Sequence, residues 1–163
     1  MSLLDLVTGL AEAGVRYVAI GGVAGVAHGS RRVTDDLDIL YDTEPENSRR
    51  LAAALVAWHA YPRDAEPGLP FLMDERTLRN AATLTLTTDR GFLDVFREVR
   101  GLGRYEDAVR EATSVDLGSA RVVTLSLPQL IAAKRAANRP KDREHLLELE
   151  ALLELGRKPP RGA

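Results

Sequence analysis

The chain contains no cysteine, and its three histidines (His28, His59 and His145) are scattered over 163 residues. The first absence excludes disulfides, a thiolate nucleophile and every cysteine-based zinc or iron–sulfur centre. The second argues against a histidine-rich transition-metal site. A bound metal would have to rest mainly on carboxylates, which selects magnesium, manganese or calcium. There is no run of about 18 apolar residues, so no membrane-spanning helix is expected. No basic and then apolar leader is visible at the N-terminus either, so a cytoplasmic protein without a secretory signal is expected.

What is present fits one self-supporting globular domain: 45% apolar and 28% charged residues in a length that can bury its own core. The net charge of −2 argues against a dedicated nucleic-acid coat. The charge is unevenly spread. Residues 121–163 hold nine Lys/Arg against five Asp/Glu, and the remainder holds 13 against 19. An acidic body with a basic C-terminal segment suits a carboxylate–metal centre facing a phosphate-binding element, although ordinary variation gives the same split.

Periodicity and cap chemistry predict the elements in turn. Ser2 and Asp5 form an S-x-x-D start for a helix over 3–13, stopped at Gly14. Val15–Ile20 reads as a strand, Val23–His28 as a short helix, and Asp36–Tyr41 as a second strand. Thr43 and Glu46 form a capping box for a helix over 44–59 with Leu51, Leu55 and Trp58 buried. Residues 60–70, with Pro62, Pro67, Gly68 and Pro70, read as a loop, and Asp74–Asn80 as a short helix. Thr83–Thr88 and Phe92–Val99 form a hairpin, 104–112 is helical, and 114–117 with 121–125 form a second hairpin about Gly118-Ser119. Leu127–Ala137 and Lys141–Leu155 are helices separated by Pro140. The expected fold is α+β: a mixed sheet flanked by helices, with a C-terminal helical pair, in one domain over 1–155 and a frayed basic tail over 156–163.

The chemistry concentrates in 20–41, IGGVAGVAHGSRRVTDDLDILY. A strand ends in Gly21-Gly22 and a helix begins at once. Glycine admits a ligand close to the backbone, and helix N-terminal N–H groups favour an anion; a plain turn has the same appearance. Asp36 and Asp38 alternate on the next strand, so both carboxylates share a face, roughly 6–7 Å apart at Cα. Either a cation sits between them or the strand is a solvated edge. Asp94 stands in F-L-D-V-F on a strand that should be central, where a charge is costly unless metal-bound or paired with an arginine.

This ordered set resembles the nucleotidyltransferase superfamily: a strand, Gly-Gly or Gly-Ser opening a helix, then a D-x-D strand, then a third aspartate on a later strand. Gly21, Gly22, Ala24, His28, Gly29, Arg32, Thr34, Asp36, Leu37 and Asp38 are similar to the AbiEii/AbiGii-type branch, which includes toxins of toxin–antitoxin systems. So do Lys134, Arg139, Lys141 and Asp142 in the C-terminal half. The resemblance is strong at 20–41, moderate at 127–142 and weak between. The chain is shorter than typical toxins of that branch, and its Gly-Gly lacks the hydroxyl of the common Gly-Ser, for which Ser30, Arg31, Arg32 or Thr34 would substitute.

The resemblance implies a nucleotidyl transfer: an acceptor hydroxyl attacks the α-phosphate of an NTP and pyrophosphate leaves. Asp36, Asp38 and Asp94 would hold Mg²⁺ or Mn²⁺, and Asp94 would take the hydroxyl proton. Gly21 and Gly22 would meet the β/γ-phosphates, Arg32 would contact phosphate or brace the D-x-D strand, and Lys134 and Arg139 would neutralise the triphosphate, unless Arg139 simply pairs with Asp142. His28 reads as structural rather than as a base, Asp35 as a cap or solvent-facing residue, and Trp58 as core. Tyr61 and Phe71 are open to stacking on a base. The implied acceptor is RNA such as tRNA, a protein or a small molecule, and an antitoxin partner is implied. Two other readings stand beside it: a catalytically silent nucleotide-binding or protein-interaction module of this fold, and an unrelated carboxylate–metal hydrolase. The hydrolase has no need of Gly-Gly ahead of the D-x-D.

Overall fold

A computed structural model describes residues 2–118 and 120–158. In chain order the elements are α1 (Leu3–Glu12), β1 (Tyr17–Ile20), α2 (Gly21–Ala27), β2 (Asp36–Tyr41), α3 (Pro45–Ala57), β3 (Tyr61–Pro62) and α4 (Glu75–Asn80). Then come β4 (Thr83–Thr88), β5 (Gly91–Phe96), α5 (Tyr105–Ala108), β6 (Thr113–Asp116), β7 (Arg121–Thr124), α6 (Leu127–Ala137) and α7 (Pro140–Arg157). The strands form one mixed sheet in the order β3-β4-β5-β2-β1-β7-β6. β2 runs antiparallel to β1 and parallel to β5.

Strand alternation sends neighbouring side chains to opposite faces and so builds two cores. Leu37, Ile39 and Tyr41 of β2, with Leu93 and Val95 of β5, pack under Leu6 and Leu10 of α1, Leu51 and Leu55 of α3 and Leu78 of α4. On the opposite face Val18, Ile20 and Leu40 meet Ala108 of α5, Leu130 and Ile131 of α6 and Leu149 of α7. Asp36, Asp38 and Asp94 fall on this second face, the one the C-terminal helices cover. Trp58 is core, 7% exposed, with the Arg90 guanidinium 5.0 Å from its ring centroid. No helix among the described residues is long and apolar enough to cross a membrane.

Several boundaries differ from the sequence reading. The helix expected to start after Gly22 begins at Gly21 itself. α3 is capped by Glu44, whose carboxylate accepts from the Glu46 and Asn47 N–H groups, not by Thr43; Glu46 pairs with Arg50 instead of reaching back. The loop over 60–70 contains β3, which pairs with β4 at the sheet edge. Pro62 fits there because an edge residue need not donate to a neighbour on both sides. α5 is shorter than 104–112, and β5 stops at Phe96 rather than Val99. Pro140 opens α7, where its missing N–H costs nothing. α7 continues through Gly156 and Arg157, so the expected tail is helical at its start. Residues 159–163 of that tail, and Ser119 of the second hairpin's turn, lie outside the described residues.

Candidate active site

Parallel pairing of β2 with β5 places Asp38 directly opposite Asp94, with Asp36 opposite Phe92. The three carboxylates therefore share one patch of one sheet face. The charged form of Asp38 is disfavoured by burial first and then by Asp94 and Asp36, with Lys134 and Arg139 opposing, and its carboxyl is pushed up to about 7. Asp94 is also raised, because its burial outweighs the nearby Arg63.

The Gly-Gly turn closes the site from below. Gly21 has φ +64, which side-chain-bearing residues rarely adopt, and a Cβ there would lie 2.0 Å from Asp38 Oδ2. A Cβ on Gly22 would lie 2.6 Å from Thr34 Oγ1. Both glycines are thus required by the D-x-D strand itself: Asp38 lies against Gly21, and the chain leading into β2 lies against Gly22.

Facing the carboxylates is a basic wall from the C-terminal helices. A cleft of about 540 Å³ is lined by Gly21, Gly22, Asp36, Asp38 and Asp94 on one side and by Lys134, Arg139 and Lys141 on the other. Arg32 and the apolar side chains of Phe96 and Val99 also line it. Lys134 Nζ lies 3.3 Å from Asp142 Oδ1, and Arg139 Nε donates to Asp142 Oδ2 at 2.7 Å. The expected Arg139–Asp142 pairing is therefore present. Burial raises the Asp142 carboxyl, but Arg139 and Lys134 together outweigh it and the net direction is down.

Asp142 and Lys134 are 3% and 11% exposed at their side chains. Removing the carboxylate leaves a buried ammonium without its partner. Asp142→Ala is expected to cost about 3 kcal/mol in urea unfolding at pH 7. Because the folded carboxyl is lowered below 3.8, its stabilisation is present above that value and is lost as pH falls through the folded value. The gap between wild type and variant should therefore narrow in strong acid.

Sequence reasoning missed one central residue. Arg63, just after β3, donates through Nη1 to Asp36 Oδ2 at 3.1 Å and through Nη2 to Asp94 Oδ1 at 2.9 Å. These contacts span 27 and 31 residues, across a proline-rich loop, and no motif spacing points to them. The bracing of the D-x-D strand considered for Arg32 comes from Arg63. Arg32 instead lies 3.6 Å from Glu144 and 3.8 Å from Glu148 of α7.

Ser30 does not line the cleft: it is 8% exposed, donates to Glu148 and lies 3.2 Å from His145 Nε2. Thr34 sits behind Gly22 and donates to the Asp36 carbonyl at 3.1 Å. His28 Nε2 lies 2.6 Å from the Leu125 carbonyl, tying α2 to the end of β7, and Asp35 is exposed. Tyr61 and Phe71 pack edge to face at 5.9 Å, and the Tyr61 hydroxyl lies 2.9 Å from both the Glu66 and the Leu69 carbonyl oxygens. They fold the loop on itself, outside the cleft lining.

The donor set suits a hard divalent cation: carboxylate oxygens only, on adjacent strands, one of them costly to ionise without added positive charge. As arranged, no three His, Asp or Glu side chains among the described residues are grouped to hold an ion; the Arg63 guanidinium spans two of the three carboxylates instead.

No protein-family model matches the sequence, and no curated protein matches it. A solved structure does match, that of a candidate nucleotidyltransferase from Thermotoga maritima, with a TM-score of 0.53 over 95% of this chain and 96% of that one, at 14% identity. With its mixed seven-stranded sheet, flanking helices and C-terminal helical pair, this chain has a nucleotidyltransferase-like fold.

Proposed function

We propose that the chain is a nucleotidyltransferase that moves a nucleoside monophosphate from an NTP to an acceptor hydroxyl. The observation that carries this reading is the cleft: three carboxylates on β2 and β5, a glycine turn that admits no side chain, and Lys134 and Arg139 opposite, all on a nucleotidyltransferase-like fold.

Asp36, Asp38 and Asp94 would hold Mg²⁺ or Mn²⁺, which supplies charge neutralisation for the α-phosphoryl group and the departing pyrophosphate. The residues of the chain account for the rest. Gly21 and Gly22 line the cleft and would offer their backbone N–H groups to phosphate oxygens. Arg139, half exposed, and Lys134, with two ammonium protons not used on Asp142, supply positive charge to the β/γ-phosphates. The acceptor oxygen bonds to the α-phosphorus, the bond to pyrophosphate breaks, and Asp94, whose proton affinity is raised, takes the hydroxyl proton. Phe96 and Val99 give the cleft an apolar strip suited to a base or ribose.

The finer assignment to the AbiEii/AbiGii-type branch rests on the 20–41 and 127–142 motifs. It carries with it an RNA, protein or small-molecule acceptor and an antitoxin partner. A second reading has one observation in its favour: the Arg63 bridge between Asp36 and Asp94 is the arrangement expected of a nucleotide-binding module that no longer turns over.

The proposal predicts that millimolar Mg²⁺ with NTP raises the melting temperature by roughly 5 °C or more, because only the folded state binds both. Differential scanning fluorimetry with each NTP, with and without Mg²⁺, checks this. The absence of any shift would remove nucleotide binding from the account.

A further inference from the structure

We infer that Arg63 is a built-in counter-cation: it holds Asp36 and Asp94 in the metal-free protein and has to leave them before a divalent cation can be bound. The inference rests on the reading of Asp36, Asp38 and Asp94 as cation ligands.

Arg63 is placed with unusual specificity for a residue at the start of a loop. Its backbone N–H donates to the Thr85 carbonyl at 2.9 Å, continuing the β3–β4 ladder by one residue. Its guanidinium carbon lies 4.6 Å from the Phe92 ring centroid, and Nη2 donates also to the Leu86 carbonyl at 3.3 Å. The strand and the ring aim the side chain, and its two terminal nitrogens reach two carboxylates on neighbouring strands, Asp36 and Asp94. Charge-assisted contacts of this geometry are strong.

The arrangement is nevertheless incomplete. Arg63 Nε is buried with no hydrogen-bond partner. Asp38, directly opposite Asp94 and two residues along β2 from Asp36, receives no hydrogen bond or ion pair at its carboxylate among the described residues. The patch holds three carboxylates and the guanidinium touches two of them, while Lys134, whose charge favours ionised Asp38, makes its ion pair with Asp142. A divalent cation would bring two charges where Arg63 brings one, and Asp38 would be available to hold it beside Asp36 and Asp94. Arg63 takes Asp36 Oδ2 and Asp94 Oδ1, and a guanidinium and a metal would compete for the charge of the same two carboxylates, so each weakens the other. The bridge thus keeps Asp36 and Asp94 from repelling each other whenever no metal is bound, and sets a threshold for metal entry.

The test is Mn²⁺ binding by calorimetry on the full chain, for wild type, Arg63→Gln, Arg63→Lys and Asp38→Asn. Arg63→Gln is expected to bind Mn²⁺ roughly tenfold more tightly than wild type, Arg63→Lys to fall between them, and Asp38→Asn to bind poorly. In chelator, Arg63→Gln should melt below wild type and gain more from Mn²⁺. Arg63→Gln binding no tighter than wild type, with Asp38→Asn still impaired, would overturn the role of Arg63 and leave the cation site standing. No Mn²⁺ binding in either wild type or Arg63→Gln would overturn the cation site and the inference together. Should Arg63→Gln not fold, wild type decides the matter: the Arg63 Nε–H resonance is expected to move with Mg²⁺ at the midpoint of Mg²⁺ binding. A resonance that stays fixed at saturating Mg²⁺ would overturn the inference.

Discussion

Asp38→Asn is expected to give a protein that is more stable than wild type at pH 8 and unable to transfer nucleotide. The Asp38 carboxyl is pushed from 3.8 to about 7 by burial, Asp94 and Asp36. Between those two values the folded chain keeps a proton that the unfolded chain has released. Stability from this group is therefore greatest below about pH 4, falls as pH rises toward 7, and stays low above it. The full interval corresponds to at most about 4 kcal/mol at pH 8. Asparagine has the same shape and never ionises, so it escapes that cost. Urea unfolding in chelator should show a gain of about 2–4 kcal/mol for the variant at pH 8 and little at pH 4. A gain of equal size at both values, or a loss at pH 8, would mean that Asp38 is not held against its charged form. The physical content is a conflict between stability and function: the site keeps a carboxylate where folding alone would prefer a neutral group.

The second large effect belongs to Gly21. Alanine there would place its Cβ 2.0 Å from Asp38 Oδ2 at a residue with φ +64. The two penalties separate in a double-mutant cycle. Gly21→Ala alone is expected to cost about 3 kcal/mol or more, from the left-handed backbone and the collision together. In an Asp38→Ala background the carboxylate is gone and only the Cβ of residue 38 stays close, at 3.2 Å, so the cost should fall to about 1–2 kcal/mol, mostly the backbone term. Equal costs in both backgrounds would show that Asp38 does not lie against the glycine turn. Thermal and urea unfolding measure the cycle, and circular dichroism establishes that each variant folds.

Much of this arrangement was legible in the sequence because it depends on local rules. The alternation in Asp36–Tyr41 placed Leu37, Ile39 and Tyr41 in one core and sent Asp36 and Asp38 to the opposite face. The Thr/Leu alternation of β4 and the turn at Asp89-Arg90-Gly91 announced the hairpin that carries Asp94. What was not legible is non-local or exceptional. β3 is two residues long and contains a proline, so no periodicity marks it. Arg63 follows it and reaches the site only because β3 folds back on β4. Ser30 and Arg32 lie within the motif, yet they turn toward α7, because Glu144, His145 and Glu148 arrive there from more than a hundred residues away. Glu44 displaced Thr43 as the cap of α3 because its longer carboxylate reaches two N–H groups at once. A resemblance of motifs located the cleft; only the tertiary structure could say which polar residues of the motif serve the cleft and which serve the fold.

The most direct test of the central claim compares α-labelled with γ-labelled NTP as the source of label. Each of the four NTPs is incubated with the protein, Mg²⁺, total RNA and lysate protein, and the macromolecular products are separated. Label from the α-position, and not from the γ-position, is expected to enter one acceptor class, and Asp36→Ala and Asp38→Ala to abolish it while remaining folded. Transfer of the γ-label, or α-labelling undiminished in both variants, would contradict it.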